Sequence, residues 1–417
     1  ETCGEVVGMS RERLKQALAA VKISPEKYKS DIQTWLSAAV TLVETCKDEA
    51  EPHAHMSEIY NKMNQTSRSA SNALALSNLI AGNASLPPQQ TNEFPNWVSP
   101  GQRKLLQTTG LRANAVVSKD GSGNFKTVAE AIAAASGGGG FVIYVKAGVY
   151  SEQVVCRKSG ITLIGDGKYS TIISGGKSVG GGSSLLGSST FTIYGDGFVA
   201  RDIGFENTAP PENHQAVALT VASDRSVFYR CSFSSYQDTL FALSLRQFYR
   251  ECDVQGTIDF IFGNAAAVFQ NSNLILRQPP HGGYNAILAN GRTDPGQNTG
   301  FSVHNCKIAV ASRGAYQSYL GRPWKAYSRA VVMKSDIDGA ISGKGWSQWE
   351  GAGSSTYTTL YFAEYANRGG GSMTGGRVGW PGFHVIGMPE AAKFTVAAFI
   401  GGDSWLPPTG VAFVSGL

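Results

Sequence analysis

Apolar residues in the first part of the chain fall at three- and four-residue steps: Leu14 and Leu18, then Ile32, Trp35, Leu36, Ala39, Val40 and Val43, then Ile59, Met63 and the run 73–80. That spacing is one face of a helix, so residues 1–80 are expected to hold a small α-helical bundle fragment, with periodicity from about Ser10 onward. From 81 to 110 the periodicity stops, and Pro87-Pro88, Pro95 and Pro100 among Gln, Asn and Ser mark a linker. Beyond it the apolar residues come in short runs. Strands are expected at 115–119, 142–146, 161–165, 171–174, 191–194, 198–205, 216–221, 226–233, 248–254, 267–270, 274–276, 301–308 and 330–337. One helix, 128–135, is expected to open at a Thr127 to Glu130 capping box, where it could cover the open end of a sheet stack. No long helices alternate with the strands, which argues against a doubly wound sheet and favours a mainly β, parallel β-helix over residues 111–417.

A short internal repeat sharpens that reading. Cys231-Ser-Phe-Ser-Ser-Tyr-Gln-Asp238-Thr-Leu-Phe241 lies over Cys252-Asp-Val-Gln-Gly-Thr-Ile-Asp259-Phe-Ile-Phe262, so Cys, Asp and Phe each recur after 21 residues. A period near 20 is one coil of a solenoid. With coils stacked roughly 4.8 Å apart, Asp238 and Asp259 become neighbours on one face. Two such carboxylates resist ionising together; one can serve as base or nucleophile while the other keeps a proton. The plainer reading, a pair of turn aspartates ending strands, competes with this. The surrounding polar residues Gln215, Gln237 and Arg322 favour chemistry.

Composition narrows the classes. Fifty glycines and 16% charged residues fit a turn-rich solenoid, and no apolar run approaches the roughly 20 residues of a membrane span. The net charge is +5, and the helical part and linker are balanced, so the excess lies in the β-rich part and suits an anionic polymer. Nucleic acid is not expected, for want of a basic cluster or a known motif. Neither CxxC nor HxxxH spacing occurs, so neither a metal nor another cofactor is expected. Among six cysteines, Cys3 and Cys46 could pair, while Cys231 and Cys252 read as small buried hydrophobes. Sequons at Asn64 and Asn83 agree with secretion, and a chain starting at Glu1 is expected to have lost an amino-terminal segment such as a signal peptide. The dibasic Arg103-Lys104-Leu105-Leu106 in the linker is expected to be a processing site for a protease.

Five motifs in order carry a resemblance: His214-Gln-Ala-Val-Ala-Leu219, Tyr236-Gln-Asp-Thr-Leu240, Gly256-Thr-Ile-Asp-Phe-Ile-Phe-Gly263, Leu320-Gly-Arg-Pro-Trp324 and Gly345-Trp346. With them the chain resembles a plant pectin methylesterase (pectinesterase) preceded by an inhibitor-like pro-region, the latter through 31–39 and 71–76. The resemblance implies a right-handed parallel β-helix whose cleft binds methyl-esterified homogalacturonan and hydrolyses its C6 methyl esters to pectate and methanol. It implies Asp259 as nucleophile, Asp238 as acid and base, Gln215 and Gln237 as oxyanion donors, and Arg322 as the partner of Asp259. Phe241, Phe262, Trp324 and Trp346 would line sugar subsites, and His214 would be structural. It further implies a Cys3–Cys46 disulfide in a partial pro-region lacking the family's first helices, a zymogen in the plant cell wall or apoplast, a proteinaceous pectinesterase inhibitor as partner, and a monomer. Phe241 stands where many members carry Tyr, Leu185-Leu186 where an aromatic often sits, and Pro210-Pro211 where Gly is usual. The alternatives are another β-helical pectin-degrading enzyme, whose Ca²⁺ cluster or His-containing motif is missing, and a non-enzymatic pectin-binding wall protein.

Overall fold

A computed structural model describes residues 2–50, 57–80, 113–136, 140–312 and 314–417. Three 22-residue helices come first: α1 (Thr2–Ile23), α2 (Lys29–Ala50) and α3 (Ser57–Asn78). The predicted apolar stripe is their mutual core, with Ile32, Leu36 and Leu74 buried against Leu14, Ala17 and Trp35. Cys3 on α1 and Cys46 on α2 are joined by a disulfide.

The rest is a stack of coils in which every strand pairs in parallel. Its strands sort into three sheets of 11, 7 and 8 strands; the middle coils each give one strand to every sheet in turn, and the end coils add strands to the 11-stranded sheet alone. Pairing runs from coil to coil in register, as in Val227↔Phe248 and Phe233↔Val254. This is a parallel β-helix. Inward side chains stack into ladders, of which Phe228, Tyr249 and Phe269 form one, with neighbouring ring centroids 4.9 and 4.5 Å apart. Such offset aromatic pairs add to the area they bury. Cys156, Cys231, Cys252 and Cys306 are free and buried in this interior.

Several expected strands are two. The runs 198–205, 226–233, 248–254, 301–308 and 330–337 are each broken by one residue with positive φ, at Asp202, Arg230, Glu251, Asn305 and Lys334. One left-handed residue turns the chain from one sheet to the next without a Gly or Pro to announce it. The helix Val128–Ala134 (α4) has the predicted Thr127–Glu130 box. Glu152 also accepts hydrogen bonds from the amides of Val128 and Ala129, at 2.8 and 3.0 Å, and so fixes this helix start to the first coils. Val128, Ala131 and Ile132 close the first coil's end of the core.

Candidate active site

The seven-stranded sheet carries the site. Leu240 pairs with Ile261 and Phe241 with Phe262, so Asp238, in the turn before Leu240–Ala242, and Asp259, at the register shift inside the strand Ile258–Gly263, occupy equivalent places on adjacent coils. Both take left-handed backbone conformations, φ 62° and 55°. Asp is among the few residues that tolerate this. Both side chains are buried.

Their surroundings differ in one respect. Arg322, one coil beyond the strand Asn285–Asn290, donates two parallel hydrogen bonds to Asp259, Nε to Oδ1 at 2.8 Å and Nη2 to Oδ2 at 2.5 Å. Its third nitrogen donates to the Tyr284 hydroxyl at 2.7 Å, and its plane lies 4.1 Å from the Trp349 ring. A guanidinium clamped this way has one orientation. Burial pushes the Asp238 carboxyl well above the usual range, and the Asp259 charge pushes it further. Burial raises Asp259 too, but the bonded Arg322 pulls it back. The cation thus favours the charged form of Asp259 directly through two hydrogen bonds, whereas Asp238 has no such bonded partner among the described residues.

Gln215 and Gln237 are half-buried on the two coils leading to Asp238, linked by the Ala216 amide donating to the Gln237 carbonyl at 3.2 Å. Among the described residues, neither side-chain amide is engaged by another protein group. His214 is exposed at a turn.

Three of the four expected aromatics meet at this site. Phe241 and Phe262 stack with centroids 4.2 Å apart, and Trp324 leans on Phe262 at 6.0 Å. Gly291 permits this, since a Cβ there would come within 2.7 Å of the Trp324 ring. Trp346 does not join them. Its backbone bridges to Gly321, but its ring points inward, stacks on Phe362 at 4.3 Å and donates from Nε1 to the buried Glu364. The cleft position belongs to Trp349, three residues on, and this residue and Tyr284 were missed. A Gly-Trp pair gives no sign of which way the ring faces, and no strand runs through 346–349 whose alternation could tell.

Helices α1 and α2 lie on this strip. Val6, Leu42, Cys46 and Met63 pack with Phe241, Leu243, Phe262 and Trp324 in one apolar cluster. A cavity of about 20 Å³ is lined by Thr41, Thr45 and Asp48 of α2 and by Phe241 and Trp324. A polar row on α2 continues the contact: Thr34, Ser37 and Thr41 are buried against Asn264, Gln297 and Asn298. Ion pairs frame it, Asp31 with Arg225 and Arg246, Arg13 with Asp196, Glu5 with Arg157 and Asp48 with Lys325.

The pattern of the Pectinesterase family matches residues 114–403, and that of the plant invertase/pectin methylesterase inhibitor family matches residues 1–76. The chain belongs to the pectinesterase family. Pectinesterase 2 of Citrus sinensis is 49% identical over 426 residues, covering 100% of this chain and 81% of its own. Among solved structures, a pectin methylesterase from carrot has a TM-score of 0.72 at 47% identity, covering 75% of this chain and 100% of its own. A mutant pectin methylesterase in complex with a hexasaccharide has a TM-score of 0.61 at 26% identity, covering 74% of this chain and 100% of its own. This pectinesterase de-esterifies pectin, and the inhibitor-type helices at its amino terminus pack on the strip of Phe241, Phe262 and Trp324. Asn64 is half-buried within α3, whereas Asn83 and Arg103–Leu106 lie outside the described residues.

Proposed function

We propose that Asp259 attacks the C6 methyl ester of homogalacturonan and that Asp238 manages the proton. The carboxylate of Asp259 adds to the ester carbonyl carbon, and the side-chain amides of Gln215 and Gln237 donate to the oxyanion that forms. Such donors typically contribute about a hundredfold or more each. The C–O bond to methoxide then breaks as Asp238 gives its proton, so methanol departs and an acyl anhydride remains on Asp259. Asp238, now ionised, takes a proton from water, whose oxygen attacks the acyl carbon and releases the Asp259 carboxylate and a free galacturonic acid, which ionises to galacturonate and gives one proton to solvent. Atoms and charge balance without a cofactor. Phe241, Phe262, Trp324 and Trp349 offer apolar faces for sugar rings, and Tyr284 and Trp349 hold Arg322 in line.

The observation that carries this reading is the unequal pairing: Arg322 bonds Asp259 through two oxygens. With residues 1–80 separated from 111–417, Asp259→Ala and Asp238→Ala are each expected to abolish methanol release from highly esterified pectin while preserving the fold by circular dichroism. Wild-type turnover should yield neither unsaturated sugars nor new reducing ends. Substantial turnover by either folded variant would remove that residue from its role.

The helices cover the aromatic strip, so the chain as it stands is a latent form, and release follows separation of 1–80 from 111–417, with a protease acting at Arg103–Leu106. A secreted monomer working in the plant cell wall, carrying glycans at Asn64 and Asn83, fits the substrate. So does control by a separate proteinaceous inhibitor docking on the same cleft.

A further inference from the structure

The ion pairs under the helices are of two kinds. Asp31 meets Arg225 and Arg246 at a place where Arg246 already holds the buried Asp224, at 2.9 and 2.6 Å. That cluster is internal to the interface. Arg157 and Lys325 are different. Among the described residues, each is paired with one carboxylate alone, and that carboxylate comes from the helices: Arg157 Nε donates to Glu5 at 2.7 Å and Lys325 Nζ to Asp48 at 2.7 Å. Both cations keep solvent access, with side chains 61% and 28% exposed.

Their positions are matched. Arg157 directly follows the first strand of the seven-stranded sheet, Val154–Cys156, and Lys325 closely follows its last, Ser318–Gly321. The sheet between them runs in continuous pairing through Phe191, Leu219, Leu240, Ile261 and Leu288. Six inter-strand steps separate the ends, on the order of 30 Å. Each cation also sits against a ring at its end of the strip, Arg157 at 5.8 Å from Tyr194 and Lys325 at 5.4 Å from Trp324. Tyr194 and Trp324 belong to the same apolar cluster as Phe241 and Phe262. A cation beside an aromatic face at both ends of a cleft is suited to an anionic sugar, ring on ring and carboxylate on cation.

We infer that Arg157 and Lys325 are carboxylate subsites for de-esterified galacturonate units at the two ends of the cleft, and that Glu5 and Asp48 close the cleft by occupying them. A C6 carboxylate offers the same two oxygens as the side chain of Glu or Asp, whereas its methyl ester carries no charge. The reaction product therefore competes with the helices for these cations, and the fully esterified substrate does not. This rests on the pectinesterase reading of the cleft, and makes polyuronate a ligand that loosens the latent form.

The test uses the full chain, with a de-esterified oligogalacturonate long enough to span the seven strands and its fully methyl-esterified counterpart as probes, at fixed ionic strength. Affinity is read by calorimetry, and helix release by hydrogen exchange across residues 29–50. The wild-type chain should bind the de-esterified oligomer more tightly than the ester and exchange faster in its presence. Glu5→Gln and Asp48→Asn should tighten polyuronate binding, and Arg157→Gln and Lys325→Gln should weaken it, each by about two- to fivefold. Opposite signs from the two members of one pair are the decisive result, because a pair that merely tethers the helices moves binding the same way whichever member is removed. Equal signs, or equal affinity for both oligomers, overturns the inference. Failure of the pectinesterase reading itself would appear separately, as absence of methanol release once the helices are removed.

Discussion

Asp238 and Asp259 share a left-handed backbone, φ near 60°, though one lies in a turn and the other at an irregularity inside a strand. The bland reading of two turn aspartates fits Asp238 alone, and the shared conformation sets both carboxyls at equivalent places on adjacent coils. The pair itself was legible in the 21-residue repeat; what divides the labour was legible only through the family motif that holds Arg322, because Arg322 lies 63 positions from Asp259 and only the coil stack brings it back. Activity should fall in acid as Asp259 takes up a proton and fall again in alkali as Asp238 loses its own, giving a bell-shaped profile in a methanol-release titration. The sign for stability follows from the raised Asp238 value. The native state holds that proton more tightly than the unfolded chain does, so Asp238 contributes less stability as pH rises above 3.8, its ordinary value. Asp238→Asn is therefore expected to be inactive yet to melt at a higher temperature than the wild type at pH 7. The difference should fade below pH 4 in calorimetric scans.

At the level of elements, the sequence announced the helices through their buried stripe but not through the stripe that matters for the cleft. Thr34, Ser37, Thr41 and Asp48 recur at three, four and seven residues on α2 and read as an ordinary solvated face. They are polar because what they meet is polar: Thr41 Oγ1 accepts from Asn264 at 2.9 Å and Gln297 at 3.1 Å. Thr41→Val keeps the shape, removes the acceptor of the buried Asn264 amide and leaves the Gln297 amide with the Ser37 carbonyl alone, which costs about 1–3 kcal/mol. Because α2 packs on α1 through a separate apolar core, the bundle should persist while its grip on the cleft weakens. The expected outcome is higher basal methanol release from the full chain and an unchanged helical signal in circular dichroism. Strand corners were the other thing the pattern hid, since Arg230, Glu251 and Lys334 turn the backbone with residues that no turn rule favours.

For the whole molecule, the helices and the β-helix are held together by more than the connecting segment. Four acidic or basic side chains of the helices, Glu5, Arg13, Asp31 and Asp48, are fixed in ion pairs across the interface. Cutting the chain between 81 and 112 should therefore leave the two parts together on size-exclusion chromatography at low salt. Methanol release should rise only as added salt screens the exposed pairs and the helices leave. Immediate full activity on cutting would mean that the connection, and not the interface, maintains latency.

The first coil has an unpartnered edge by construction, and α4 with its Thr127–Glu130 box and the Glu152 tie is what covers it. A parallel stack left bare there offers its backbone as a template to the last coil of another molecule. Weakening this cap through Glu152→Ala would thus convert an enzyme that melts into one that polymerises, with filaments growing end to end while each unit keeps its fold.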